Sequence, residues 1–508
     1  MMIGLGVATR MRRARPGEDS ANLGFWIAHR KLSGWWLGMS LTAGWLMLGW
    51  ISYGMAQVYQ YGATGLWILP IPWFILCFLI VAAVPFVRRV GAVSLPEALQ
   101  KRYGLSARAV VAGLSFLVFI LWTQAELFIG ASIIAPFLGL EGSPWIAVLV
   151  LIVPTAVYLY LGGFRAVVLT DVVQFAVMAA FMVILATSAV GAASEAATGG
   201  LLSALSAAAP PASGAGETFN LGFLGIVFPL VLLLGFLPGW LVEQDLTLRL
   251  QAARSTREAR KAAWLGLVCI TVFVLVLPSI TAFCALVVFP PEGAAPAAAV
   301  GADATGIITA FIARLGPALS VFMILGVTAC QMSTVDTFTN VSAMPIAYDL
   351  IVPVFLRNRV SDRGRVIIAR TVTLMTLALA GGLAVISDSL GDVYNISSGV
   401  LSACIAVPAL FLFWKRTTLP AVLSAAAAGF VGTVGMYGLE NKGWSEGFAL
   451  PGFLEASAGY NYVATGVVLS VVTIVLVSLV TRRPPAASLA SVRPTPVDDW
   501  KEFTEGLP

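Results

Sequence analysis

Residues 321–340 read VFMILGVTACQMSTVDTFTN, and the change of character halfway along this stretch decides what the chain is. The first half, Val321 to Val327, is apolar enough for the centre of a bilayer. The second half crowds Thr328, Gln331, Ser333, Thr334, Asp336, Thr337, Thr339 and Asn340 into the same segment. Polar side chains inside a membrane span are costly unless they line a cavity or meet a partner. Ser333, Thr337 and Asn340 follow i, i+4, i+7 spacing and share one helical face. Adjacent hydroxyls at Ser333 and Thr334 offer neutral oxygen ligands of the kind a hard cation takes. A lone serine or threonine in such a helix bonds back to the carbonyl one turn earlier, or packs helices together. A run this dense, with an aspartate inside it, points to a site.

The rest of the chain supplies the membrane protein around that segment. Of 508 residues, 59% are hydrophobic and only 11% charged, with a mean hydropathy of +0.92. Soluble domains carry about 25% charged residues. Apolar runs of about twenty residues separated by short polar breaks mark repeated helical crossing. This pattern excludes a soluble enzyme, a disulfide-stapled domain and a disordered chain. It also excludes a membrane β-barrel, whose strands alternate. Twelve spans are expected, near 33–60, 65–87, 106–138, 144–161, 167–194, 219–241, 263–289, 317–348, 366–387, 393–413, 418–437 and 460–481. With residues 10–31 placed in the cytoplasm, 28 of the 30 Lys and Arg residues fall on the inner side, and only Arg314 and Lys442 fall outside. That bias fixes the orientation, with both termini cytoplasmic in the inner membrane. The net charge of +5 therefore reports topology and not nucleic-acid binding.

Residues 2–9 (MIGLGVAT) are apolar but too short to cross, and they run into Arg10, Arg12, Arg13 and Arg15. A signal peptide carries its charges before the apolar stretch, not after it. The stub reads as the last turns of a truncated additional helix; a short interfacial anchor is the plainer alternative. Cys77, Cys269, Cys284, Cys330 and Cys404 lie in apolar stretches without a CxxC pair and read as small hydrophobes. One histidine, His29, gives zinc or histidine chemistry little to work with.

Two further spans carry breaks or charges. The first contains Gly44, Gly49 and Gly54 among Trp45, Trp50 and Tyr53; the sixth contains Gly235-Phe-Leu-Pro-Gly239 followed by Trp240. They open two successive five-helix sets, and matched Gly/Pro interruptions point to an inverted-repeat transporter with broken helices. Glu126, in the third span, has to face a cavity, hold a proton or meet a cation. Asp171 opens the fifth span, where the helix dipole alone would favour it.

These residues resemble the sodium:solute symporter family, from about Leu32 to the last span. Gly162-Gly-Phe-Arg-Ala-Val-Val-Leu-Thr-Asp-Val-Val-Gln174 is similar to its signature before the fifth core helix, and Ser333-Thr-Val-Asp336 to its serine-threonine motif on the eighth. Ser94-Leu-Pro-Glu97 with Arg102-Tyr-Gly104, Phe413-Trp-Lys-Arg-Thr-Thr418, and Gln244 to Arg249 leading to Glu258-Ala-Arg260 resemble its cytoplasmic segments. The resemblance implies an all-α LeuT-type 5+5 inverted repeat. The transport core would be 33–414, with repeats 33–194 and 219–414, after a segment at 1–32. Two added helices at 415–481 and a cytoplasmic tail at 482–508 would follow. It also implies sodium coupling, with ligands from the carbonyls of Ala43, Leu46 and Cys330 and the hydroxyls of Ser333 and Thr334, and with Asp171 nearby. Trp45 stands where many members carry a polar residue, and a shift of one residue would move the carbonyl pair to Gly44 and Met47. Thr42-Ala-Gly-Trp45 and Ala125-Glu-Leu-Phe128 are similar to the choline-transporter branch, so Trp45, Trp50, Glu126, Trp240 and Gln244 are the candidate solute contacts.

The expectation is a sodium-coupled symporter for a small organic solute: an amino acid, a carboxylate or a quaternary amine. A proton-coupled symporter using Glu126 and a non-transporting solute sensor with a separate signalling partner are the alternatives. Neither enzymatic chemistry nor a nucleic-acid partner is expected.

Overall fold

The computed structural model describes residues 25–90, 92–140, 142–386, 390–444 and 457–485. The expected stub at 2–9 and the tail beyond 485 lie outside the described residues. Among these residues, nine helices are long and apolar enough to cross a membrane, and a tenth span arises if one bent pair is counted together. The first expected span is two helices, α1 (Gly34–Trp45) and α2 (Leu48–Tyr61). Next come α3 (Pro70–Arg89) and α4 (Leu105–Leu138). Helical turns then run through Pro144–Ala196 (α5), whose apolar stretches Pro144–Tyr160 and Val167–Ala196 fall on the fourth and fifth expected spans. The bent pair is α6 (Val227–Leu241) with α7 (Gln244–Ala252), inclined by 41°. After it come α8 (Thr256–Val288), α9 (Pro317–Phe355), α10 (Asp362–Val385), α11 (Leu390–Phe413), α12 (Leu419–Asn441) and α13 (Asn461–Val480).

The two interruptions differ from expectation in one respect. The first lies where the glycines suggested it, at Leu46 and Met47, whose ψ angles of 57° and 105° leave the helical range. The second does not lie in Gly235–Gly239, which stays helical despite Pro238. Those glycines serve close packing instead: a Cβ on Gly235 would stand 2.6 Å from Val463, and one on Gly239 2.5 Å from the Ser402 hydroxyl. Gly239 also donates its N–H to that hydroxyl at 2.9 Å. The chain breaks three residues later, at Val242 and Glu243, where ψ moves from 12° to 136°. The α7 segment is accordingly a buried helix and not an exposed cytoplasmic loop.

α9 packs on α4 and α5, while α1 lies against α5 and α8. In lipid, such packing rests on close approach and hydrogen bonds more than on the hydrophobic effect. The motif after α3 shows how the ends are held. Ser94 caps the short helix Leu95–Tyr103 by accepting from Glu97 N–H at 3.1 Å, and the Glu97 carboxylate returns to Val93 N–H at 2.9 Å. Ser94 also donates to Asp349 at 2.7 Å, and Asp349 pairs with Arg108 at 2.8 Å, which ties this segment to the far end of α9. Arg102 donates to the Trp414 carbonyl, so two of the sequence motifs meet there. At the opposite end, the Tyr53 and Tyr460 hydroxyls are 2.7 Å apart and Asn395 donates to Tyr53 at 2.8 Å, joining α2, α11 and the residue before α13. These three residues lie at the wall of a cavity of about 650 Å³ that also includes Gln57, Asp303 and Asp392.

Candidate ion and solute site

Just before the break between α1 and α2, the Ala43 carbonyl faces α9. The Ser333 hydroxyl stands 3.0 Å from the Ala43 carbonyl and 3.0 Å from the Cys330 carbonyl, and 3.5 Å from the Met178 sulfur. The Ala43 carbonyl also accepts the Leu46 N–H at 3.3 Å. Beside it, the Thr334 hydroxyl is fully buried with no hydrogen-bond partner. Carbonyl and hydroxyl oxygens brought together from two helices, one of them unsatisfied, form the all-oxygen donor set that suits a hard cation. The residues present therefore fit a sodium ion.

Asp171 lies at the edge of this group. Its Oδ2 accepts from Ser40 of α1 at 2.5 Å and from Arg249 of α7 at 3.3 Å, while Oδ1 has no partner. Arg249 is almost wholly buried and reaches four helices at once. It donates to Ser40 at 3.1 Å, to Thr337 of α9 at 2.9 Å and to Asp245 one turn earlier at 3.4 Å. Trp45 gives its indole N–H to the same Asp245 oxygen at 2.7 Å. Gly44 is small by necessity here, since a Cβ would stand 2.6 Å from the Arg249 guanidinium. Removing a cation held between two buried carboxylates is costly, because both acids are then left uncompensated.

Further along α2, aromatic rings gather. Trp50 lies 4.5 Å from Tyr394 and 5.6 Å from Trp240, and Trp240 stacks on Phe236 at 4.8 Å. Trp73 of α3 bridges Trp240 to Trp45, at 6.0 and 5.2 Å. Glu126 of α4 sits at the start of α2: both its oxygens lie 3.1 Å from the Gly49 N–H. It also accepts from Tyr394 at 2.5 Å and from Gln331 at 3.4 Å.

Thus Trp45, Trp50, Trp240 and Glu126 converge around the first break. Gln244 does not join them, because its amide is bonded to Val93 and Leu95 in the segment after α3 and lies 3.8 Å from the Met344 sulfur. Sequence reasoning missed Arg249, Asp245, Trp73 and Tyr394. The Asp245/Arg249 spacing of four residues was a visible ion-pair signal. Nothing in the sequence placed Tyr394 beside Glu126.

A helix broken at mid-course against a polar helix, with carbonyl and hydroxyl oxygens on one side and aromatic rings on the other, is the arrangement of a secondary membrane transporter, not of an enzyme. The family profile of the sodium:solute symporters matches residues 25–429, and the chain belongs to that family. It is 27% identical over 451 residues to the sodium/glucose cotransporter of Vibrio parahaemolyticus, over 82% of this chain and 79% of that one. It is 34% identical over 167 residues to sodium/glucose cotransporter 1 of Oryctolagus cuniculus, a match covering 32% of this chain but only 24% of that protein's length. Among solved structures, a Na+-coupled sialic acid symporter in a substrate-bound outward-open state superposes with a TM-score of 0.73 at 16% identity, over 95% of this chain and 96% of that one. The nucleobase-cation-symport-1 transporter Mhp1, in a closed conformation, superposes with a TM-score of 0.55 at 13% identity, over 93% and 98%. These superpositions establish the LeuT-type fold, and the family's coupling ion is sodium.

Proposed function

We propose that this protein imports a small organic solute across the inner membrane by sodium-coupled alternating access, with both termini in the cytoplasm. The observation that carries the reading is the Ser333 hydroxyl set 3.0 Å from both the Ala43 and the Cys330 carbonyl, beside the unpaired Thr334 hydroxyl. Sodium would be held by the carbonyls of Ala43, Leu46 and Cys330 and the hydroxyls of Ser333 and Thr334, with Asp171 supplying nearby negative charge. Its binding across α1 and α9 would favour one orientation of the two. The solute would bind among Trp50, Trp240 and Glu126, where an amino acid, a carboxylate and a quaternary amine are the classes to compare.

In this reading residues 33–194 and 219–414 are the two inverted repeats, with 415–481 as the added helix pair. A membrane potential of roughly 100 mV supplies about 2.3 kcal/mol per charge. A tenfold sodium gradient adds about 1.4 kcal/mol. Together they support roughly several-hundred-fold accumulation of a neutral solute at one-to-one coupling.

The test is a titration of purified protein with NaCl against KCl at equal ionic strength, read by tryptophan fluorescence and thermal unfolding. A saturable, sodium-specific response that Ser333→Ala with Thr334→Ala abolishes is the expected result. An identical response to both salts would sink the sodium reading. Counterflow in proteoliposomes separates a symporter from a sensor with a signalling partner, which moves no solute.

A further inference from the structure

We infer that Glu126 fills, from within the chain, the place at the first helix break where a solute's carboxylate would otherwise bind, and that the transported solute therefore carries no carboxylate. This rests on the reading that the solute pocket lies beside the break.

The argument starts from α2. The first N–H groups of a helix have no partner within it, and the helix dipole makes that end positive. In transporters with discontinuous helices, such a half-helix end is where an anionic substrate group is met. Here the end is already taken. Glu126 is completely buried, and both its oxygens lie 3.1 Å from the N–H of Gly49, the second residue of α2. Tyr394 at 2.5 Å and Gln331 at 3.4 Å supply two more donors. A carboxylate has about four acceptor positions, and Glu126 meets three donors here, the Gly49 N–H being shared between its two oxygens.

Space agrees with bonding. Even a methyl group on Gly49 would stand 2.2 Å from the Tyr394 oxygen and 2.9 Å from Glu126. No second carboxylate fits between α2 and Glu126. Every donor to Glu126 is uncharged, and no cation pairs with it among the described residues. The other side chains packed around this place are the rings of Trp50, Tyr394 and Trp240, none of which carries a positive charge for a carboxylate. These suit a neutral or cationic molecule.

The experiment asks whether the place can be vacated and refilled. Full-length wild type, Glu126→Ala and Glu126→Gln are unfolded thermally in sodium chloride and in sodium acetate at equal sodium. Acetate is expected to raise the Tm of E126A saturably by a few degrees, as a ligand bound only to the folded state does. It should leave wild type and E126Q, whose side chains still fill the place, unchanged. If E126A does not fold in chloride, recovery of folded protein in acetate is the same result. Acetate without either effect on E126A, or with an equal effect on wild type, overturns the inference. A second arm offers matched solutes to wild type, glucose against gluconate and choline against glycine betaine. A preference for the carboxylate-bearing member of either pair overturns it too; where neither registers, the acetate arm decides. The sodium titration stands apart, since its failure removes the coupling reading and leaves the acetate result in place.

Discussion

The first and sixth expected spans are both interrupted, yet by different means. Between α1 and α2 the backbone opens at Leu46–Met47, and its freed end is met by a side chain from another helix, Glu126. Between α6 and α7 the opening comes at Val242–Glu243, past the Gly/Pro motif, and α7 is anchored by Arg249 and Asp245 reaching back to Ser40 and Trp45 of α1. The comparison teaches that one break is built to receive polar groups and the other to be locked onto it. Gly/Pro content identifies spans that deviate, while packing partners decide where.

The lock is the first place to break this comparison. Arg249→Ala leaves Asp171 and Asp245 buried without their cation, and should destabilise by about 3–5 kcal/mol. Thermal unfolding in detergent measures this, and a loss under about 1 kcal/mol would mean that the two breaks are not joined through Arg249. Trp45→Phe keeps an aromatic ring but removes the indole N–H and its hydrogen bond to a carboxylate; about 1.5–3 kcal/mol is expected from the lost bond, before any loss of packing. Combining it with Asp245→Asn in a double-mutant cycle should show strong coupling, and additivity would place the two residues in separate units. Gly239→Ala tests the claim that this glycine is there for packing. Overpacking of about 1–3 kcal/mol is expected, and a stabilised variant would favour a conformational role instead. The smallest effect on stability is expected from Thr334→Val. Its hydroxyl is buried without a partner, so without sodium the variant should be no less stable than wild type. Its half-saturating sodium should nevertheless rise several-fold, and an unchanged sodium response would take Thr334 out of the ion site.

Much of the fold was legible because bilayer thickness sets the length of each apolar run. α4 and α9 were visibly longer than a crossing requires, and they have 34 and 39 residues. The Ser94–Glu97 motif was legible for a local reason, a serine cap with an acid three residues on. Of the site, the α9 oxygens were readable because polar residues in an apolar run stand out. The Arg249 network was less so: α7 follows a break and looked like one more basic stretch outside the membrane. Glu126 stood out in sequence as a buried charge, but its partner is a backbone N–H, which every residue except proline carries. Gln244 was misplaced because its neighbours Val93 and Leu95 lie 149 or more positions away.

The tyrosine pair at the cavity wall has a consequence for water. Tyr53, Tyr460 and Asn395 form a continuous hydroxyl and amide seam, with polar Gln57 and Asp392 on the cavity side and the buried Trp50 and Tyr394 behind it. The seam is therefore a wet-to-dry boundary one side chain thick. A thiol introduced at Gln57 should react with a water-soluble maleimide, while one at Trp50 should not until the Tyr53–Tyr460 bond opens. Because Tyr460 precedes α13, which packs on α6 and α11, that helix is part of the seal.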